Sequence, residues 1–473
     1  MRARTTVAAG LVAVLVLAGC GTRSSDAAKE AQASNGGVSS GGASTTTGSA
    51  PSAGAEPFGT LANPCGPNEG GGENTASDTG VTADEIVVTT IADPGGPKPG
   101  LDQGMLDSMV AFADWCNSFG GINGRTLVVE QRDAKVFEYQ QRVLEACEDS
   151  FALVGGLGVT DQLGAQTAID CGLVNVPGAT GSAEQSNADL TYQPLPNPTQ
   201  TYPIGYGEWI AGRFPEVKDK AAVIYSQVPS AKMQASRTIE AYETLGFTFL
   251  SNDASNVGET NWAPLVVRLK DEDAKYFHFT STFEELVPLQ KEMAAQGYQP
   301  VVTEVFSNFY NTKYPVLAKE QGAPVDGVYI RLATWPFEEA DQRLAMRQYL
   351  DALEQAVPGS EPEQLGVQAF SAGLLFATAA KAAGNDLTRD RLVTELEKIE
   401  EWDGGGLQGT SNPGENVATP CFLYMKLSYD GFERAYPLPD EDKEVYDAGN
   451  GMDCSKSTML DLTTNYGEGA KKP

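Results

Sequence analysis

Phe151-Ala-Leu-Val-Gly-Gly-Leu-Gly-Val-Thr-Asp-Gln-Leu-Gly-Ala-Gln-Thr-Ala-Ile-Asp-Cys171 is the stretch whose reading decides the fold. Phe151–Val154 is a short apolar run of buried-strand type. Gly155, Gly156 and Gly158 leave a turn free of side chains. Thr160 or Asp161 can cap a helix running to Cys171. Strand, glycine turn and helix N-terminus together make an anion-binding construction, because free N–H groups and the positive end of the helix dipole converge on one point. The carboxylate of a small molecule would fit there. An ordinary βα turn, with glycines for tightness, reads the same way. The spacing is not G-x-G-x-x-G, so it carries no dinucleotide fingerprint.

Working outward, the same alternation recurs. Upstream, the β-rich run Ile86–Ala92 ends in the loop Asp93–Pro97. Met105, Met109, Phe112, Ala113 and Cys116 then recur at helical spacing over about Asp102 to Phe119. A turn at Gly120–Arg125 leads to a strand, Thr126–Gln131, and a helix, Glu138–Ser150. Downstream, Leu173–Val176 is the next strand and closes at Pro177–Ser182. Such alternation implies a parallel α/β sheet. Ligands of such sheets bind outside the carboxyl ends of the strands. The loops Asp93–Pro97, Gly156–Asp161 and Ala179–Ser182 should therefore meet at one edge.

Leu195–Pro203, with three prolines, suits a crossing between two lobes. The alternation then restarts with strands at Ala221–Tyr225, Phe247–Leu250, Tyr276–Phe279, Gln299–Val302 and Gly327–Ile330. Ala333–Pro336 suits a second crossing. Helices are expected at Glu338–Ala356 and Glu363–Ala383, the latter small and apolar all round like a buried support between lobes. Asp430-Gly431 reads as a hairpin turn between Phe422–Ser428 and Gly431–Tyr436.

Arg2 and Arg4 precede an apolar run, Val7–Ala18, that is too short to span a bilayer comfortably and reads as a signal peptide over residues 1–20. Leu17-Ala18-Gly19-Cys20 resembles a lipobox, which implies lipidation at Cys20. Residues 21–80 are rich in Gly, Ser, Ala, Thr and Pro and read as a flexible tether, save around Cys65, which could be tied down. The remaining chain, about 390 residues, exceeds one ordinary core and suggests two lobes. The formal charge of −30 argues against nucleic acid as a partner. The single histidine, His278, lies in a strand-like run. One histidine argues against a Ser–His or Cys–His engine and against a histidine metal site. No G-x-S-x-G supports a hydrolase, and no motif calls for a cofactor or metal. Setting Cys20 aside leaves six cysteines, which suggests three disulfides in an exported chain. Fifteen pairings are open from the sequence.

Asn117-Ser-Phe-Gly-Gly-Ile-Asn-Gly-Arg125 resembles the "N-x-x-G-G-I-N-G-R" segment of the branched-chain amino acid (Leu/Ile/Val) binding proteins of ABC importers. Cys147-x-x-x-Phe-Ala-Leu-Val-Gly, with Cys171 before Val-Asn-Val-Pro-Gly, is similar to that family's cystine-bearing helix, strand and helix. Asp430-Gly431-Phe432 agrees as well. The resemblance covers about residues 81–437 and implies the type I periplasmic-binding-protein fold, with two Rossmann-like lobes carrying parallel sheets on a multi-strand hinge. It places lobe 1 at 81–199 and 333–413, and lobe 2 at 200–332 and 414–473. It implies a Cys147–Cys171 disulfide, with Cys421–Cys454 and Cys65–Cys116 following. It also implies that Gly158, Val159 and Thr160 hold the ligand carboxylate with Ala179, Thr180 and Gly181. Glu284 or Glu285 would pair with an ammonium, though both also suit a helix N-terminus by charge. Tyr225 would lie over the ligand. After Tyr225 the chain departs from the family, with Ser226-Gln227-Val228-Pro229-Ser230 where Asp and a Tyr-Gly pair are usual.

These readings lead to a non-enzymatic receptor, extracytoplasmic and lipid-anchored to the cell membrane, that closes over a small amino-acid-like or carboxylate ligand and serves an ABC permease. A ligand sensor that signals to a partner protein is the alternative.

Overall fold

Glu85–Ala92 forms the first strand, β1, and is buried from Val88 onward. Its Val, Thr and Ile residues suit a strand covered on both faces. Thr126–Asp133 (β2), Ala152–Val154 (β3) and Val174–Val176 (β4) join it in the order β2-β1-β3-β4, with every pairing parallel. The short strand Thr201–Pro203 (β5) follows. Ala221–Ser226 (β6), Phe249–Ser255 (β7), Tyr276–Thr280 (β8), Val302–Val305 (β9) and Val328–Leu332 (β10) build a second sheet. Leu423–Ser428 (β11) and Gly431–Tyr436 (β12) complete it, in the order β12-β11-β10-β9-β8-β6-β7. Its pairings are parallel from β7 to β10 and antiparallel at β11 and β12. The chain is thus an α/β protein of two Rossmann-like lobes, as expected. This computed structural model describes residues 56–473 apart from Pro97 and 456–458. The segments expected as signal peptide and start of the tether, with Cys20, lie outside the described residues.

Three crossings between the sheets lie side by side. Trp335 N–H donates to the Leu407 carbonyl at 2.9 Å, and Gly409 N–H to the Ala333 carbonyl at 2.9 Å. The Ser411 hydroxyl donates to the Pro194 carbonyl at 2.7 Å. The helix Gln364–Ala383 packs against the helix Gln103–Ser118, against β3 and β4, and against the 3-10 turn Ser307–Phe309 of the other lobe. It is long and apolar enough to cross a membrane, yet 78% of its apolar window is buried inside the protein. Small residues allow the close crossing, since a Cβ on Gly373 would lie 2.5 Å from the Phe112 ring.

Among the described residues three disulfides form, Cys65–Cys116, Cys147–Cys171 and Cys421–Cys454. His278 is fully buried on β8. Three expectations need correction. The expected tether ends earlier than residue 80. Phe58 is fully buried, with its ring 5.4 Å from Trp115 and 5.3 Å from Phe370. The Ser77 hydroxyl donates to the Leu387 carbonyl at 2.5 Å, and Arg125 Nη2 to the Thr75 carbonyl at 3.1 Å. A Gly- and Pro-rich segment is ordered here because one aromatic ring and one disulfide bind it to the first lobe. The C-terminal tail, expected in lobe 2, stays there through Leu462, and only its last residues return to lobe 1. Met459–Asp461 (β13) pairs antiparallel with β5, and the Asp189 N–H donates to the Ala470 carbonyl at 3.0 Å. The single helix expected at Glu338–Ala356 is a 3-10 turn, Phe337–Glu339, and a helix, Leu344–Ala356. Glu339 is drawn aside by Arg434, whose Nε lies 2.5 Å from its carboxylate.

If residues 56–80 are part of the fold, Phe58→Ala should lower unfolding free energy by about 3–5 kcal/mol in denaturant titration. A tether would register nothing. Replacing both Cys147 and Cys171, which close 24 positions of chain, should cost roughly 3–4 kcal/mol by loop-closure entropy.

Candidate ligand-binding site

The loops after β1, β2 and β3 are held by one carboxylate. Asp93, fully buried, accepts the Val136 N–H at 2.5 Å through Oδ1 and the Val159 N–H at 2.8 Å through Oδ2. Burial raises its carboxyl above the ordinary value, against the pull of those two N–H groups. Val136 sits at φ 71°, a conformation that a β-branched residue rarely adopts. It is pinned a second time by the Thr160 hydroxyl, which donates to its carbonyl. A second carboxylate, Asp161, accepts the Gly181 N–H at 2.7 Å and so ties the loop after β3 to the loop after β4. Burial lifts its carboxyl to about 6, against donors from Ser182 and Gly181.

These bonds consume groups that the sequence offered to a ligand. The N–H groups of Val159 and Gly181 and the hydroxyl of Thr160 already have partners within the protein. The Thr180 hydroxyl lies 2.6 Å from the Ser186 hydroxyl and 3.2 Å from Gln193 Oε1. The glycines have a packing reason. A Cβ on Gly158 would lie 2.1 Å from the Tyr139 ring, and one on Gly156 2.5 Å from the Ile91 carbonyl oxygen. Tightness of the turn therefore accounts for both.

Above these loops, facing the carboxyl ends of β6, β8, β9 and β10, lies a cavity of about 450 Å³. That is within the usual size of small-molecule sites. Gly158, Val159, Ala179, Thr180 and Gly181 line it from lobe 1, as expected. Thr160 is buried behind that wall. Tyr225, Glu284 and Glu285 do not line it. Ser226 does so in place of Tyr225, because neighbouring strand residues face opposite ways. Glu284 and Glu285 sit in the first turn of the helix Phe283–Ala295. Glu285 pairs with Lys98 at 2.8 Å and accepts the Gly258 N–H at 2.9 Å. Lys98 follows β1, so this ion pair spans the cleft between the lobes.

Sequence reasoning missed Lys98, Tyr202, Phe306 and Arg331, all on the cavity wall. Arg331 is 6% exposed and ends an otherwise apolar strand, Val-Tyr-Ile-Arg-Leu. A charge in such a run was the available signal, because an unpaired buried charge is costly. Its Nη1 donates to the Tyr202 hydroxyl at 2.5 Å, and its guanidinium centre lies 3.9 Å from the Phe306 ring centroid. Beneath it Glu304, fully buried, accepts the hydroxyls of Tyr242, Tyr276 and Tyr424. Burial raises the Glu304 carboxyl, but the Arg331 charge and the tyrosine hydroxyls pull against it and hold it below its ordinary value. His278 Nδ1, at 3.7 Å from Glu304, is too far for a hydrogen bond.

The sequence profile of the periplasmic binding protein family matches residues 85–431. A Leu/Ile/Val-binding protein homolog from Brucella suis is 27% identical over 283 residues, covering 57% of this chain and 71% of the relative. Among solved structures, a fatty acid ABC transporter substrate-binding protein from Thermomonospora curvata superposes with a TM-score of 0.66 at 17% identity, covering 78% of this chain and 96% of that one. A branched-chain amino acid transporter substrate-binding protein from Streptococcus pneumoniae, in complex with isoleucine, gives 0.59 at 15% identity, covering 75% of this chain and all of that one. The two-sheet topology, the cavity between the sheets and a profile match over most of the chain agree: the chain belongs to the periplasmic binding protein family, whose members bind solutes rather than transform them.

Proposed function

We propose that the chain is an extracytoplasmic receptor of an ABC importer, lipid-anchored at Cys20, that closes two lobes over a small carboxylate-bearing ligand and presents it to a membrane permease. The observation that carries this reading is the cavity between the carboxyl edges of both sheets, spanned by the Lys98–Glu285 ion pair. The names of the relatives support it, since isoleucine and fatty acids both bear a carboxylate. The apolar run and Leu-Ala-Gly-Cys of residues 7–20 support export and anchoring. Lobe boundaries near 199, 332 and 413 agree with the three adjacent crossings. Gly158, Val159, Ala179, Thr180 and Gly181 then form the first-lobe wall chiefly by shape. Thr160 and Glu285 act behind it, fixing loops. Tyr225, on the face of β6 opposite Ser226, takes no part in this reading, and Glu284 would reach the ligand only after a change in lobe angle. Closure is a hinge motion about the crossings.

A thermal-shift panel of amino acids, amides and small carboxylates tests the reading, because a ligand bound only by the folded state raises the melting temperature. No shift across the panel would count against a receptor for this class. With the best ligand in hand, Lys98→Ala should open the free form in small-angle scattering. The same variant should weaken binding on the order of tenfold, about 1.4 kcal/mol. Cys20→Ser should leave the domain folded and move the protein from the membrane to the soluble fraction. Retention in the membrane fraction would remove Cys20 as the anchor.

A further inference from the structure

We infer that the ligand is a carboxylic acid with an apolar body and no ammonium group, and that Arg331 is the residue that takes its carboxylate. The inference rests on the reading of the cavity as the ligand site and names the class of ligand.

The charge balance of the wall carries it. Two cations line the cavity among the described residues, Lys98 and Arg331. Lys98 is already paired with Glu285. Arg331 has no carboxylate within the 4.0 Å of a salt bridge among the described residues, and its one hydrogen bond there goes to Tyr202. Glu304 acts on it only at a distance, its oxygens turned to three tyrosine hydroxyls. The guanidinium is stacked on Phe306, which fixes its plane and leaves its remaining N–H groups for a planar, two-oxygen anion.

The opposite requirement, an anion for an ammonium, is unmet. Asp102 is the only carboxyl lining the cavity among the described residues. It is 8% exposed, and burial, with the charges of Glu363, Asp93 and Glu284, raises it well above the carboxylate range, against the pull of Lys98. The buried wall atoms without a partner, Gln193 Nε2 and Thr280 Oγ1, are neutral. The rest of the wall presents mostly apolar surface, from Leu101, Leu157, Leu195, Val228, Leu365 and Phe306 among others. An α-amino acid would have to reach the recessed Asp102 carboxyl with its ammonium while its own carboxylate faces Arg331.

The test uses the full chain in detergent and calorimetry with two matched sets: hexanoate, norleucine and hexanamide; 3-phenylpropanoate, phenylalanine and 3-phenylpropanamide. The acid of at least one set should bind tenfold or more tighter than both its 2-amino acid and its amide. Arg331→Lys should weaken the acid at least tenfold and narrow the difference between acid and amide. Because any change at Arg331 alters the surroundings of Glu304, the acid–amide comparison on the unmodified protein stands without the variant. Norleucine or phenylalanine binding tighter than its acid would overturn the inference while leaving the receptor reading intact. Equal binding of acid and amide would overturn the role of Arg331. If none of the six binds, the inference fails, and the wider panel decides the receptor reading separately.

Discussion

One buried carboxylate, Asp93, makes the first lobe a surface rather than a set of loose turns. Its two oxygens hold backbone N–H groups from the loops after β2 and β3. The Val136 conformation that this requires costs about 1–3 kcal/mol. A hydrogen bond to a charged acceptor contributes roughly 1.5–3 kcal/mol. The two bonds to Asp93, joined by the Thr160 hydroxyl, are therefore enough to offset the strain. Asp161 repeats the device one loop further on. Both carboxyls are buried and raised, so the stitching relies on neighbouring N–H groups rather than on water. The consequence is chemical. Two of the amides that could hold an anion, those of Val159 and Gly181, are spent on architecture, and the second lobe offers Arg331 in their stead.

The second lobe carries two buried arginines that do different work. Arg237 is 1% exposed and bonds to four oxygens, from Asn197, Gln234, Pro198 and Thr201. It fastens the first crossing to the helix Pro229–Thr244, with Nε left without a partner among the described residues. Arg331 has, among the described residues, a single hydrogen bond, and aromatic rings against its faces. The Glu304 charge lies close enough to favour the guanidinium's charged form without touching it. Burying an ion costs several kcal/mol unless it is paired and hydrogen-bonded. A guanidinium held this way, at the wall of a cavity, is poised for an anion from outside.

The sequence shows the fold well because its signals are local. A strand, a glycine turn and a helix can be read at Phe151–Cys171 without knowing their neighbours. The rule that loops meet at the carboxyl edge of a parallel sheet then brings Asp93, Val159 and Gly181 together. What that edge does was not legible, because it depends on which long-range partner each group finds. Asp93 reaches Val136, 43 positions away, and Val159, 66 positions away. Composition made 56–80 a tether, but a single ring, Phe58, seated between Trp115 and Phe370, outweighs a polar stretch. Borrowed family roles fared worst where the chain itself departs. Tyr225 and the two glutamates stand off the wall, beside the segment where Ser226–Ser230 differs from the family.

The division of labour between the lobes also sets what closure requires. A ligand shifts an equilibrium between open and closed forms only by binding one better than the other. The first-lobe wall offers it shape and few free donors, and those contacts are the same at any lobe angle. The preference for the closed form must come from groups that approach as the lobes approach. These are Arg331 and Phe306 below, and two apolar side chains that line the cavity yet are 71% and 49% exposed, Phe137 and Val257. Phe137 follows the strained Val136, held by Asp93, and Val257 adjoins Gly258, whose N–H is held by Glu285. The carboxylates that stitch the loops thus also aim the lips of the cleft. Closure over an apolar ligand buries both side chains, at roughly 25 cal/mol for each Å² removed from water. A ligand whose body is polar gains less from that step, however well its acid group suits Arg331.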